Sequence, residues 1–310
     1  MSGLTTSYRS PRYTPQRGAV GRLLARESPL RRMDWVLVAA AVALSGMGSL
    51  LVWSATRSRS DINHGDPQYF LVRHLLNLAV GMGLCVAIVL LGHHRLRTAV
   101  PFLYGFSVLA VLAVLLASGA PTRWLLGLIV VGGTGAFAVV QLHLLKQYQI
   151  ARFAAFADPR LDPSGVGYNT AQARIAIGSG GLAGQGLFHG TQTTGQFVPE
   201  QQTDFVFTVA GEELGFLGAG LIILLLAVVL WRACRIARRA DDLYSTIVAA
   251  GVVAWFGFQG FENIGMTLGI MPVAGIPLPF VSYGGSSMFA IWVGIGLLQS
   301  VRMQRPTAVS

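Results

Sequence analysis

Two acidic residues, Glu200 and Asp204, lie at the point where a long polar segment of the chain meets an apolar run. A carboxylate at an apolar boundary is costly to ionise, so its pKa tends to rise, and the start of a helix favours the anion. This pattern is compatible with a catalytic or ion-binding site. The alternative is that Thr203 or Asp204 caps the helix, a role that is compatible with catalysis.

Three further carboxylates, those of Glu212, Glu213 and Glu262, lie inside apolar runs. Ionisable groups at membrane depth are costly and are therefore candidates for function. Neighbouring residues on a helix point about 100° apart, so at most one of Glu212 and Glu213 can face lipid. The alternative is that both face the protein interior or interfacial water. Glu262 forms a similar polar pair with Asn263.

The segment 271–287 is rich in proline, glycine and hydroxyl groups. Its three prolines and three glycines preclude a regular helix, and unwound backbone at membrane depth occurs where protein buries it or a cavity exists. The hydroxyl groups of Ser282, Tyr283 and Ser286 are more than a rigid connector needs. They predict polar contacts with a ligand, and a plain connector is the alternative.

The composition identifies the solvent in which these side chains must be positioned. The chain has 310 residues, of which 53% are hydrophobic and 12% charged, where a soluble domain has about 25% charged residues. The mean hydropathy is +0.58. Such a chain belongs in a bilayer, so the composition argues against a disordered protein, a nucleic-acid-binding domain and a cytosolic enzyme, despite the net charge of +10.

Seven apolar runs have the length of a membrane span, which predicts an all-α, polytopic transmembrane helix bundle. They are Trp35–Trp53, Phe70–Leu91, Ala99–Ala117, Trp124–Leu145, Phe205–Trp231, Thr246–Ile270 and Met288–Val301. We expect a disordered basic cytoplasmic tail at 1–33, a membrane-embedded domain at 34–302 and a second cytoplasmic tail at 303–310. The interval 146–204 is predicted to be a long extracytoplasmic loop, with weak helical periodicity at Tyr168–Ile177.

The distribution of arginine predicts the orientation through the positive-inside rule. The N-terminal tail, residues 93–97 and residues 232–239 are basic and are assigned to the cytoplasm. The interval 146–204 must then lie outside. An odd number of spans should separate Arg97 from that interval, but only two runs do. Either one of these runs does not cross the membrane, or a segment with an odd number of spans is absent.

Several motifs in the loop and in the Pro-Gly segment resemble those of the SEDS proteins, the family of RodA and FtsW, and come closest to its actinobacterial RodA branch. The resemblance covers about residues 34–116 and 121–300. The motifs that carry it are Gly167-Tyr168-Asn169 and the runs 175–181, 199–205, 211–215 and 275–286.

The resemblance implies a peptidoglycan glycosyltransferase of the bacterial cytoplasmic membrane. Such enzymes polymerise lipid II and work with a class B penicillin-binding protein. The essential loop aspartate of the family matches Asp204, which would act as general base on the acceptor sugar hydroxyl. We expect Glu200, Thr203, Arg174 and the three hydroxyl residues of the Pro-Gly segment to bind substrate. No cofactor is required by the sequence, although a divalent cation, Mg²⁺ or Mn²⁺, could stabilise the pyrophosphate leaving group.

The chain departs from the family pattern in one region. Family members have about ten spans, and the family blocks Gln-Pro-Ser-Glu and Asp-Leu-Gly-Thr are absent. An internal deletion of three spans between Leu116 and Arg123 would explain the odd count. Two alternatives to the polymerase therefore stay open. One is a transporter of a lipid-linked precursor with Glu212, Glu213 and Glu262 as a relay, and the other is an impaired scaffold for the penicillin-binding protein.

Overall fold

The structure, a computed structural model, describes residues 32–59, 62–63, 65–91 and 166–303, and these contain helices and no β-strand. The predicted tails and the runs Ala99–Ala117 and Trp124–Leu145 fall wholly or almost wholly outside this part of the chain. So does the region of the predicted deletion. The helices are α1 (Trp35–Arg57), α2 (Tyr69–Leu91), α3 (Val166–Ser179), α4 (Thr191–Thr194), α5 (Val206–Glu213), α6 (Gly215–Ala237), α7 (Leu243–Leu268) and α8 (Gly285–Met303).

Four of these helices, α1, α2, α6 and α7, are long and apolar enough to cross a membrane. Helix α6 packs against both α1 and α7. Helix α2 lies beside α8, where the position of a Cβ on Gly81 would be 3.0 Å from the Trp292 ring and that on Gly296 would be 3.1 Å from the Cys85 carbonyl oxygen. These small residues allow the close approach that membrane helices use. The predicted all-α membrane bundle is confirmed.

The long helices connect two ends of the bundle. At one end, the Asp34 carboxylate before α1 pairs with Arg232 near the end of α6 and with Arg302 near the end of α8. At the other end, Arg59 after α1 donates to the side-chain oxygen of Gln202 in the long loop, at 3.5 Å. A helix of 23 residues spans about 34 Å. The described end of the long loop, around Gln202, therefore lies at the end of the bundle opposite Arg232, which agrees with the predicted alternation of charge.

The predicted span Phe205–Trp231 is wrong as a single helix. The chain breaks between α5 and α6, where Leu214 ends one helix and Gly215 begins the next with φ +66°. A left-handed backbone is strained for residues other than glycine and interrupts the helical hydrogen bonds. Hydropathy does not detect this break because apolar residues flank the glycine.

The Gly-rich segment after α3 provides hydrogen-bond partners at this break. Backbone groups freed inside a membrane protein need such partners. The N–H groups of the segment donate to the last carbonyls of α5, and the first N–H groups of α6 donate to the carbonyls of the segment. The four bonds are Gln185 to Glu212 (2.9 Å), Gly186 to Glu213 (3.1 Å), Phe216 to Gly181 (2.9 Å) and Leu217 to Leu182 (3.1 Å).

The Pro-Gly segment is non-helical, as predicted. Helix α7 ends at Gly269 with φ +74°, and no helix forms before α8. Phe280, which is fully buried, attaches the segment to the core. Its ring packs edge-on against Phe256, with centroids 5.4 Å apart, and against Trp292, at 6.2 Å. Such aromatic pairs add to the stabilisation from burial.

Candidate functional site

A tight turn before α5 positions Asp204. The carbonyl of Glu200 accepts hydrogen bonds from the N–H groups of Thr203 (3.2 Å), Asp204 (3.1 Å) and Phe205 (3.3 Å). Glu200 has φ +52°, an unfavourable conformation for a residue with a side chain. Such outliers persist where the surrounding contacts enforce them, and they are frequent at functional sites.

The predicted cap on α5 is not formed. The N-cap residue is Phe205, and no side chain caps the helix. The hydroxyl of Thr203 donates instead to the carbonyl oxygen of Glu200, at 3.2 Å, and to its Oε2, at 3.3 Å. Because the turn places the helix start after Asp204, the interpretation of Thr203 or Asp204 as a cap is wrong. The half-buried Asp204 side chain is therefore not explained by capping.

A buried amide on α7 fixes Asp204 relative to the Pro-Gly segment. The Asn263 side-chain nitrogen donates to the carbonyl oxygens of Asp204 and Ile276, each at 2.7 Å. One turn earlier, the Gln259 side-chain nitrogen donates to the carbonyl of Pro277 at 2.9 Å. Asn263 has no exposed surface. One side chain thus connects the two segments whose motifs carry the family resemblance.

The Asp204 carboxylate faces the backbone of the Pro-Gly segment. Its Oδ2 lies 3.3 Å from the position that a Cβ on Gly275 would occupy, and Gly275 has φ +71°. The backbone N–H of Tyr283 donates to the carbonyl of Gln202 at 2.8 Å, which forms a second connection between turn and segment. The carboxylate therefore lies beside backbone whose positive φ favours glycine.

A small apolar cluster holds α3 to the same region. It contains Ala173 of α3, Val198 and Phe205 of the loop, and Val273 of the Pro-Gly segment. Arg174, the next residue on α3, is exposed. Its Cδ lies 3.5 Å from the Cβ position of Gly269 at the end of α7. Arg174 and Asp204 therefore belong to the same end of the bundle.

The other predicted substrate-binding residues occupy different environments. Glu200 is exposed, and its Oε2 accepts hydrogen bonds from Thr203 and, at 3.3 Å, from Gln202. The buried Ser282 hydroxyl accepts from the N–H of Leu278 at 2.7 Å, which stabilises the turn around Phe280. Ser286 is exposed in the first turn of α8.

Tyr283 lies between the Pro-Gly segment and α2. Its ring packs edge-on against Phe70, with centroids 5.1 Å apart, and lies 6.1 Å from His74. The contact connects α2 to the Pro-Gly segment. Tyr283 is thus positioned at the site by packing as well as by its backbone hydrogen bond.

The Glu212 carboxylate binds the start of α4. It accepts hydrogen bonds from the N–H groups of Gln192 (2.6 Å) and Thr193 (2.9 Å) and from the hydroxyl of Thr193 (2.7 Å). Helix starts favour an anion, and charged acceptors strengthen such bonds. Glu212 is fully buried. It therefore faces the protein interior, which is one of the two alternatives to a functional role predicted from the sequence.

Glu213 is also buried, and its Oε1 accepts a hydrogen bond from the Ser54 hydroxyl of α1 at 2.5 Å. Burial raises the pKa of this carboxyl, which lies outside the four candidate spans. Glu262 on α7 is buried and makes no hydrogen bond within the described residues. Its neighbour Asn263 makes the contacts to the site.

Sequence reasoning identified Asn263 only as a polar neighbour and did not identify Gln259. The signal was available, because two amides four residues apart lie on one face of a helix. The charged cluster at the opposite end, formed by Asp34 with Arg232 and Arg302, was also missed. Among the described residues, no group of three His, Cys, Asp or Glu side chains could hold a metal ion.

Three comparisons show which known proteins this chain is similar to. The FtsW–RodA–SpoVE family model, described as "Cell cycle protein", matches residues 105–307. The peptidoglycan glycosyltransferase MrdB of Escherichia coli K12 is 40% identical over 223 residues, which are 71% of this chain and 60% of that protein. The stage V sporulation protein E of Bacillus subtilis 168 is 44% identical over 170 residues, 55% of this chain and 46% of that protein.

The chain spans about 60% or less of the length of these curated relatives. A solved peptidoglycan synthase complex contains a chain with a TM-score of 0.64 and 24% identity, covering 87% of this chain and 97% of that one. The crystal structure of the rod shape determining protein RodA of Thermus thermophilus gives a TM-score of 0.54 at 25% identity, covering 89% and 98%. Both likenesses support the helical membrane fold.

Proposed function

Because the chain belongs to the FtsW–RodA–SpoVE family of cell cycle proteins, also called SEDS proteins, we propose that it is a peptidoglycan glycosyltransferase that polymerises lipid II. Family membership and the four candidate spans make it a multi-pass membrane protein. We further propose that it resides in the bacterial cytoplasmic membrane with its N-terminus in the cytoplasm. The relative MrdB, which is named as a peptidoglycan glycosyltransferase, supports the activity.

The placement of Asp204 is the observation that carries this proposal. Its carboxylate faces the Pro-Gly segment, and the Asn263 amide connects the backbones of both segments. In the proposed reaction, Asp204 accepts the proton of the acceptor sugar hydroxyl as its oxygen bonds to the anomeric carbon of the donor. The bond from that carbon to the undecaprenyl pyrophosphate breaks, and the pyrophosphate leaves as an anion.

Residues around Asp204 would bind the charged and hydroxyl-rich parts of lipid II. Arg174, which is exposed on α3, would pair with the pyrophosphate, since guanidinium matches phosphate oxygens. Glu200, Thr203 and Ser286 would contact sugar or peptide groups. Mg²⁺ or Mn²⁺ could supply further neutralisation of the leaving group, with the phosphate oxygens of the substrate among its ligands.

We prefer the polymerase to a lipid-linked precursor transporter. A transporter relay through Glu212 and Glu213 would need carboxylates that exchange protons, but Glu212 accepts bonds from α4 and Glu213 from Ser54. These contacts give both residues a structural role. The predicted site residues also lie at one end of the bundle, whereas transporter sites usually lie near the bilayer midplane.

The test is polymerisation of purified lipid II by the full chain with its class B penicillin-binding partner. We expect Asp204→Ala to abolish glycan strands and Asp66→Asn to leave them unchanged, because Asp66 is exposed in the α1–α2 loop. Equal product from Asp204→Ala and the unsubstituted chain would refute the general-base role. Partner binding without any polymer would favour the scaffold, and flipping of labelled lipid II in proteoliposomes would favour the transporter.

A further inference from the structure

The end of the bundle opposite Asp204 contains a polar cavity of about 160 Å³ lined by side chains from three helix ends. This volume is about five times the share of one water in the liquid. The cavity is lined by Asp34, Arg232, Arg235, Ile236, Arg239 and Arg302. Four arginines face one carboxylate, which gives the lining a net charge of +3.

The single carboxylate is already saturated by two of these arginines. Asp34 is 1% exposed, and Arg232 donates to both of its oxygens, at 3.0 and 2.9 Å from Nε and at 2.6 Å from Nη2. Arg302 pairs with the same Oδ2. The Asp34 N–H also donates to the Gln299 side-chain oxygen at 2.8 Å. This arrangement fixes two guanidinium groups rigidly at the cavity wall.

The other two arginines add further positive charge to the cavity lining. Arg235 and Arg239 form no ion pair within the described residues. Arg235 packs over the Trp231 ring, with its guanidinium carbon 4.5 Å from the ring centroid. Four guanidinium groups around one small cavity repel one another, and an anion between them would relieve that repulsion. Guanidinium groups recognise phosphate oxygens in particular.

The surroundings indicate where such an anion would come from. The cavity lies where the candidate spans α1 and α6 reach the end of the bundle. Trp35 and Trp231 are 56% and 54% exposed beside it, and exposed tryptophan is typical of the level of lipid headgroups. Basic pockets between helix ends at that level bind anionic lipid headgroups.

We propose that this cavity binds a phosphate group, supplied by the headgroup of an anionic phospholipid. The lipid would join the ends of α1, α6 and α8 at the membrane surface opposite the candidate catalytic site. The site is independent of the glycosyltransferase proposal, since it uses neither Asp204 nor any residue near it.

The test compares the full chain in nanodiscs of phosphatidylcholine alone and in discs that also contain phosphatidylglycerol. The thermal unfolding midpoint and native mass spectrometry report lipid binding. We expect phosphatidylglycerol to stabilise the unsubstituted chain, and Arg235→Ala and Arg239→Ala each to weaken lipid binding by about fivefold. Arg238→Ala is the matched control for Arg239→Ala, because both arginines are exposed but Arg238 does not line the cavity; it should change binding less than twofold.

Two results would overturn the proposal. One is equal stability in both kinds of disc together with no response to inorganic phosphate. The other is an effect of Arg238→Ala as large as that of Arg239→Ala, which would indicate general surface charge. If inorganic phosphate stabilises the chain in phosphatidylcholine discs and Arg239→Ala removes that effect, the anion site is supported and its ligand is soluble phosphate.

Discussion

Replacing Asn263 by alanine should separate the position of Asp204 from the stability of the bundle. The amide donates two buried hydrogen bonds, to the carbonyls of Asp204 and Ile276. Each is worth about 1 kcal/mol net, and polar contacts within membranes average about 0.6 kcal/mol. The loss is therefore about 1–2 kcal/mol. If this loss appears in the transition state as misplacement of Asp204, kcat falls by about 5-fold to 30-fold.

The assay measures kcat and KM for lipid II polymerisation beside the thermal unfolding midpoint. Thr267→Val is the matched control, because Thr267 is buried one turn further along α7 and its hydroxyl donates only within its own helix, to Ile264 at 2.8 Å. We expect Asn263→Ala to lower kcat and Thr267→Val to leave kcat within twofold. Polymerisation by Asn263→Ala at the rate of the unsubstituted chain, or equal losses in both variants, would refute the positioning role.

Three other substitutions test the packing that supports the site. Gly184→Ala should destabilise the chain by roughly 1–3 kcal/mol, because Gly184 has φ +83° and a Cβ there would overlap the Glu213 carbonyl. Gly220→Ala should leave the stability unchanged, because nothing lies within 4 Å of its Cβ position. The thermal unfolding midpoints of the two variants test this prediction. Glu212→Gln should expose the loop around α4 to proteolysis, because an amide nitrogen would face N–H donors; unchanged digestion would contradict this. Asp34→Ala should cost about 3 kcal/mol or more, because it removes the buried carboxylate that pairs with Arg232 and Arg302, and an unchanged melting midpoint would refute it.

Hydropathy was sufficient to find the long helices, but the polar residues at their ends were needed to locate the boundaries. The predicted run Thr246–Ile270 is helix Leu243–Leu268, because Asp242 caps it by accepting from the N–H of Ser245 at 3.1 Å. Asp34 caps α1 in the same way, through the N–H of Leu37. A cap is a local signal, so these starts could have been predicted from the sequence.

Contacts between distant residues could not be predicted in this way. The break at Gly215 depends on hydrogen bonds to the segment after α3, and the pairing of Asp34 with Arg302 joins residues 268 positions apart. A single sequence does not show which residues far apart in the chain are in contact. The motif residues predicted as the site are brought to one end of the bundle by the fold, while the roles of Glu212 and Ser282 in local structure became evident only from their hydrogen bonds.

The most direct measurement of the central claim compares lipid II binding with lipid II polymerisation in Asp204→Asn. The amide keeps the size of the side chain but cannot take up a proton as a carboxylate does. The account predicts that Asp204→Asn binds fluorescent lipid II within a few-fold of the unsubstituted chain and forms no glycan strands. Polymerisation by Asp204→Asn at the rate of the unsubstituted chain would contradict the assignment of Asp204 as the general base.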